Sequence, residues 1–341
     1  MTKRTEISEL GEFGLIQRLS KGNTKHSDTI KSIGDDCAVI DTKPLKTLVT
    51  TDFLVEDIHF DLSYTPLKHL GYKAVVVNVS DIYAMNGTPK HITVSIAVSN
   101  RFSVEALEEI YAGIYLACEN YGIDVIGGDT TSSPKGLIIS ITAIGEAAED
   151  QIVYRDQAKE GDLICVTGNL GAAYLGLQIL IREKQVYLED PNMKPEITEE
   201  NSYLIERILK PEAKKKVIDY FKSENILPNA MIDISDGLSS ELMHICSQSK
   251  LGCLIEEKEI PIDQMAYDQA MKFNLDPTVC ALSGGEDYEL LFTIDQKDRE
   301  KIIQNEGISI IGVIIKAEDG LKLKSRGGNT FDLKAQGWVS F

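Results

Sequence analysis

Residues 231–247 read MIDISDGLSSELMHICS, an apolar strand that runs through a Ser-Asp-Gly turn into a helix. Leu163–Gly171 follows the same plan, with a strand leading through Thr167-Gly168-Asn169-Leu170-Gly171 into helical sequence. A glycine-containing strand-to-helix turn can hold an anion, although close packing is the commoner reason for its glycines. Both units mix strand and helix. They set the class as α/β (or α+β) rather than a bundle or a sandwich.

Outward from these units, the rest of the chain keeps the mixture. Towards the N-terminus the pattern predicts a helix over 8–20, strands around Ile33–Ile40 and Leu48–Phe60, and a long helix opened by Pro66 and ended by Asn86-Gly87. A strand at His91–Val98 follows. Next comes a helix over 103–121, capped by Ser103 and closed by Gly122, with Val104, Leu107, Ile110, Ile114, Cys118 and Tyr121 at spacings of three and four. Strands at Val125–Asp129 and Leu137–Ile144 precede a polar stretch, Glu146–Asp150, which predicts two domains, 1–150 and 151–341. In the second half a polar segment over roughly 184–200 precedes helical sequence to about 222. A strand after Gly284-Gly285, a helix near 297–304 and a strand at Ile308–Ile315 complete the pattern.

The 341 residues carry 35 Lys plus Arg against 53 Asp plus Glu, a formal charge of −18. Such a field argues against nucleic-acid or anionic-membrane binding, and it also repels nucleotides unless cations mediate. The longest apolar runs are too short to cross a bilayer, and the N-terminus mixes both charge signs, unlike a secretory signal. Six irregularly spaced cysteines with no CxxC pair read as reduced, buried thiols. The expectation is a cytoplasmic enzyme without a membrane partner.

One pattern recurs: an apolar element ends in a small residue followed by an acid. It appears at Gly34-Asp35-Asp36, Thr50-Thr51-Asp52, Ser80-Asp81, Gly127-Gly128-Asp129, Asp233-Ile234-Ser235-Asp236 and Gly284-Gly285-Glu286-Asp287, with no Lys or Arg inside any of them. Each alone is usually a turn or helix cap. Together they point to clustered, partly desolvated carboxylates that need divalent cations, and an oxygen-only donor set suits magnesium, manganese or calcium. Walker A, protein-kinase, HExxH and GxSxG signatures are absent. Phosphoryl transfer by positioning and charge neutralisation is the chemistry such a site would support.

These segments, in this order and over nearly the whole chain, resemble the thiamine-monophosphate kinases, within the superfamily of aminoimidazole-ribonucleotide synthetase. The landmarks include Ile33-Gly34-Asp35-Asp36-Cys37-Ala38, Thr50–Val55, Ile58-His59-Phe60, Asn78–Asp81, Gly127–Thr130, Asp233–Leu238 and Gly284–Phe292. The resemblance implies a two-domain fold. Its N-terminal domain forms a β-barrel across a homodimer, binds ATP and magnesium, and is completed by an α/β C-terminal domain. It implies ATP-dependent, in-line phosphorylation of thiamine monophosphate with several Mg2+ ions. By the resemblance Asp35, Thr50, Thr51, Asp52, Asp81, Asp129, Asp233 and Asp236 hold metal, and Tyr111, Gly128, Asp129, Arg155 and Ser235 contact ATP, with Tyr115 the alternative to Tyr111. His59, Glu286 and Trp338 fall on the substrate side, and no general base is assigned. The chain departs from the family pattern at Asp57, usually a small residue, and at Asn86, which separates Met85 from Gly87. Rival readings are another activity of the superfamily, a non-catalytic nucleotide or cation sensor, and a metal phosphohydrolase. The reactive N-terminal Cys of selenophosphate synthesis and the C-terminal Cys of the hydrogenase-maturation relatives are both missing.

Overall fold

A computed structural model of the chain describes residues 26–193 and 197–334. The expected helix over 8–20 and Trp338 lie outside the described residues. The first half contains β1 (Thr29–Lys31), β2 (Ala38–Asp41), β3 (Lys46–Val55), α1 (Leu67–Ala84), β4 (Thr88–Val98), α2 (Val104–Tyr121), β5 (Asp124–Ser132) and β6 (Ile138–Ala147). They form one sheet in the order β1-β2-β3-β6-β4-β5. Every pairing is antiparallel except β4 with β5. A parallel pair needs a crossover, and α2 supplies it.

The sheet is open, with β1 and β5 at its edges, and no closed barrel forms among the described residues. Strand β3 alternates as the pleat requires. Leu48, Thr50 and Leu54 turn inward, while Thr51 and Phe53 lie on the exposed face.

Helix α1 is buried without a break from Leu70 to Ser80. It packs against α2 and the inner face of the sheet, and it touches a strand of the second half. The run Val75–Val77 is a poor helix former because β-branched side chains lose χ1 freedom. A helix apolar nearly all round is nevertheless stable when covered on every side, since each buried valine contributes about 1.5–3 kcal/mol. Helix α2 ends as its sequence predicts. Ser103 Oγ accepts from Ala106 N–H at 3.3 Å, and Gly122 is left-handed at φ 72. The two departures from the family pattern share a cause. Asp57 (φ 66) and Asn86 (φ 57) occupy left-handed turn positions, where Asp and Asn are the best-tolerated residues after glycine.

The second half contains β7 (Leu163–Thr167), α3 (Ala172–Glu189), α4 (Glu199–Leu209), α5 (Lys215–Glu224), β8 (Ala230–Asp233), α6 (Leu238–Ser249) and β9 (Gly252–Glu256). It continues with α7 (Gln264–Lys272), α8 (Pro277–Ser283), β10 (Leu290–Ile294), α9 (Arg299–Ile303), β11 (Ile308–Ile315), β12 (Leu321–Lys324) and β13 (Thr330–Asp332). The strands order as β13-β12-β9-β11-β7-β10-β8, with only β12 and β9 parallel. The central strands β7, β8 and β10 are buried along their whole length, which explains their nearly unbroken apolar sequence.

Two expectations change. The strand placed at Ile33–Ile40 is shorter, because residues 33–37 bend so that Asp35 and Asp36 turn inward. The segment from 184 is not polar loop throughout: α3 continues to Glu189, with Ile179, Leu180 and Glu183 on its buried side. All six cysteines are free and buried. Among the described residues no helix is long and apolar enough to cross a membrane.

Candidate active site

A cavity of about 1250 Å³ opens between the two sheets. That exceeds the roughly 300–1,000 Å³ of a pocket for one small molecule, leaving room for two. Its floor is built where the C-terminal half of α1 meets the end of β8. Here Ser80 Oγ donates to Asp233 Oδ2 at 2.5 Å, tying the two halves of the chain together. The loop before β2 brings Asp36 to the same point. Carboxylate oxygens of Asp36, Asp81 and Asp233 lie within 4.8 Å of one another. Thr50 donates its hydroxyl to Asp81 Oδ2 at 2.5 Å, and Asp52 also lines the floor. Asp52 N–H is fixed by Asn78 Oδ1 at 3.1 Å.

The electrostatics are those of a crowded, dry carboxylate cluster. Burial pushes Asp36 and Asp81 well above the usual carboxylate range, and neighbouring acids push the same way. Burial also raises Asp233, against the opposing Ser80 bond and the Arg155 charge. Asp52 is pushed up to about 6 by burial and by the charges of Asp233 and Glu286. Two cations, Arg155 and Lys31, stand on the Asp35-Asp36 side of the group. Arg155 reaches Asp36 Oδ1 at 2.8 Å and Asp35 Oδ1 at 3.5 Å. Lys31 approaches Asp35 at 3.4 Å. Asp36 Oδ2 is buried with no hydrogen-bond partner. An all-oxygen set at this spacing, with a buried lone pair unused, fits a magnesium-type cation. Asp36, Asp81, Asp233, Thr50 and Asp52 are the residues able to hold it.

A second wall comes from the loop between α8 and β10. Backbone bonds extend the β8–β10 ladder past its ends, from Glu286 N–H to Ser235 O at 2.7 Å and from Tyr288 N–H to Ile234 O at 2.8 Å. Two motifs some fifty residues apart thus become neighbours. The loop is strained, with Gly285, Glu286 and Tyr288 at φ 69, 61 and 49. A side chain at Gly285 would put its Cβ 2.6 Å from Ser235 O. Strain of this kind persists only where surroundings enforce it. Asp287 Oδ2 accepts from Gly171 N–H at 2.7 Å, holding the turn that opens α3. Glu289 accepts from Thr167 Oγ1 at 2.5 Å and pairs with Lys214 at 2.7 Å and Arg207 at 2.9 Å. Glu286 itself faces the cavity and pairs with the buried Lys73 at 2.5 Å.

Of the residues singled out from sequence, Asp35, Thr50, Thr51, Asp52, His59, Asp81, Arg155, Ser235, Asp233, Asp236 and Glu286 line this cavity. Their individual arrangements differ. Asp35 is held by Arg155 and Lys31, while its neighbour Asp36 enters the carboxylate cluster. Thr51, on the other face of β3 from Thr50, donates to Ile141 O at 3.1 Å. His59 Nδ1 accepts from Val55 N–H at 3.0 Å, which leaves the ring proton on Nε2 when the imidazole is neutral. Asp236 sits beside Glu241, whose Oε1 accepts from Asp236 N–H at 2.9 Å.

Tyr111, Gly128 and Asp129 do not line the cavity. Tyr111 packs on Tyr115 along α2, with ring centroids 6.2 Å apart. Gly128 and Asp129 lie on the exposed edge strand β5, separated from β3 by β4 and β6. A Cβ at Gly128 would sit 1.9 Å from Val94 O, so close strand approach already accounts for that glycine.

Lys73 was not singled out from sequence, yet it lies eight residues before Asp81 and four before Val77. Those three share a helix face and line the cavity. That spacing was the available signal.

Residues 34–147 match the family described as AIR synthase related protein, N-terminal domain. The chain is 36% identical to a thiamine-monophosphate kinase of Aquifex aeolicus, over 95% of this chain and 99% of that protein. It is 35% identical to the Bacillus subtilis thiamine-monophosphate kinase, over 86% of this chain and 87% of that protein. A solved structure described as AaThiL complexed with AMPPCP and TMP superposes with a TM-score of 0.85. That match has 34% identity and covers 100% of both chains.

Proposed function

This chain belongs to the thiamine-monophosphate kinase family, and we propose that it moves the terminal phosphoryl group of ATP directly onto the phosphate of thiamine monophosphate, giving thiamine diphosphate and ADP. The observation that carries this reading is the partly buried cluster of Asp36, Asp81 and Asp233 at the floor of a cavity large enough for two ligands. Relatives named as thiamine-monophosphate kinases, and a solved relative described with AMPPCP and TMP, support the choice of substrates.

In this reading Asp36, Asp81 and Asp233, with Thr50, Asp52 and Asp236 around them, hold several magnesium ions. When bound, such ions would supply neutralisation of the charge on the transferred phosphoryl group. The chain's own groups do the positioning. Arg155 keeps Asp35 and Asp36 turned into the cavity. His59, whose ring is held by the Val55 N–H bond to Nδ1, lines the cavity on the substrate side of this reading. Ser235 lies at the cavity wall for the nucleotide. No general base is required, because the acceptor phosphate oxygen is already ionised at neutral pH.

The division into residues 1–150, supplying most of the acids, and 151–341, completing the nucleotide and substrate sites, belongs to the same reading. So does a homodimer in which the exposed edge strand β5, with Gly128 and Asp129, joins a second copy into a closed barrel. Tyr111 as a nucleotide contact and Trp338 as a substrate contact remain part of the proposal. Free buried thiols and the acidic charge favour a cytoplasmic setting.

The direct test mixes purified chain, ATP, magnesium and thiamine monophosphate and follows thiamine diphosphate by mass spectrometry. Stoichiometric thiamine diphosphate and ADP are expected. Release of inorganic phosphate without a phosphorylated acceptor would instead establish a phosphohydrolase.

A further inference from the structure

Lys73 is 3% exposed, the kind of position a lysine occupies only with a partner. Its ammonium pairs with Glu286 Oε2 at 2.5 Å and donates to Ile208 O at 3.3 Å. Both Lys73 and Glu286 line the cavity. Lys73 lies on the face of α1 that carries Asp81, about 12 Å away along the axis between Cα atoms, at ~1.5 Å per residue. The pair stands within electrostatic reach of the carboxylate floor, since the Glu286 charge acts on Asp52, and it shares the cavity with an apolar wall that includes Tyr64, Tyr174, Leu177 and Ile181. Packing alone would be served as well by an apolar residue, since a buried ion pair adds little net stability. Glu286 is presented from the left-handed stretch of the loop, so its position is enforced rather than relaxed.

A thiamine phosphate is itself a zwitterion, with a cationic thiazolium ring and an anionic phosphate. We propose that Lys73 and Glu286 select the acceptor by its two charges. Glu286 turns to the ring cation and Lys73 to the phosphate, so that binding exchanges one internal ion pair for two pairs to the ligand. Lys73 is then a specificity-determining residue, distinguishing the phosphorylated acceptor from the free alcohol. The inference rests on the kinase reading above.

The test is calorimetric binding of thiamine monophosphate, thiamine and AMPPCP, with magnesium, to the native chain and to Lys73→Met, Glu286→Gln and the double variant. Lys73→Met should weaken thiamine monophosphate roughly thirty-fold or more, the scale for losing one partner of a buried charge pair, and leave thiamine within about two-fold. Glu286→Gln should weaken both thiamine compounds alike and keep the preference between them. The double variant carries no unpaired buried charge, so it guards against misfolding of the single one. It should show weak binding and little preference. Unchanged AMPPCP affinity reports an intact fold. Equal loss of thiamine and thiamine monophosphate in Lys73→Met and in the double variant would overturn the proposal and leave the pair a structural staple. A native chain that binds AMPPCP but neither thiamine compound would sink the kinase reading together with it.

Discussion

Asp52→Asn should make the metal-free protein more stable while abolishing its activity. In the folded chain the Asp52 carboxyl is held at about 6 against an ordinary 3.8, because burial and the charges of Asp233 and Glu286 oppose ionisation. Between those two values the folded state keeps a proton that the unfolded chain has lost. Stability therefore falls as pH rises through that window, and the cost is complete above it. At ~1.4 kcal/mol per pH unit of difference, the full cost is on the order of 3 kcal/mol. Asparagine has nearly the same shape and leaves the Asn78 bond to the residue 52 backbone in place.

The measurement is urea unfolding of metal-free protein at pH 8 and pH 4. The variant should gain about 1–3 kcal/mol at pH 8, with the gain shrinking toward zero by pH 4. Adding magnesium and AMPPCP should reverse the order, because only the native carboxylate profits from a bound cation. Turnover should drop by orders of magnitude. A variant less stable than the native protein at pH 8 without metal would refute the crowded-carboxylate picture.

Arg207→Met takes the guanidinium from Glu289 and Asp287, leaving Glu289 with Lys214 and Asp287 with the Gly171 N–H, and should cost about 1–3 kcal/mol in thermal or urea unfolding; a loss under about 0.5 kcal/mol would mean the network is not needed. Gly285→Ala forces a Cβ against Ser235 O at a left-handed φ. It should cost on the order of 1–3 kcal/mol and reduce turnover by displacing Glu286, read by unfolding and steady-state kinetics on one preparation. Ile126 on β5 is 57% exposed. If that edge joins a second copy, Ile126→Glu should shift the species seen by light scattering from dimer to monomer, and an unchanged mass would remove β5 from the interface.

Which parts of this arrangement were readable in advance follows from the range of the forces involved. Helix α2 was legible to the residue, because its spacing, its Ser103 cap and its Gly122 stop are local features. The long reach of α3 was not, since its charged solvent face obscures the apolar stripe packed on α4. At the site, the acids announced themselves by following small residues without basic neighbours. Their final assignment did not. Asp35 and Asp36 are adjacent and chemically identical, and only the bend at residues 33–37 sends one to Arg155 and Lys31 and the other into the carboxylate cluster as well. Lys73 carries no local mark of its role, because its partner Glu286 lies more than two hundred residues later and only the fold brings the two together.

By itself the sequence determined the mixture of strands and helices, the recurring acids that follow small residues without basic neighbours in sequence, and the ordered motifs that mark the family. These depend on residue type and near-neighbour spacing, which a linear chain displays. Only the tertiary structure decided which carboxylates share a pocket, which lysine pairs with Glu286, and that Asp129 stands on an open edge instead of in the cavity. Those outcomes depend on contacts a few ångströms long between distant segments, set by how α1 is enclosed between one sheet and the end of the other.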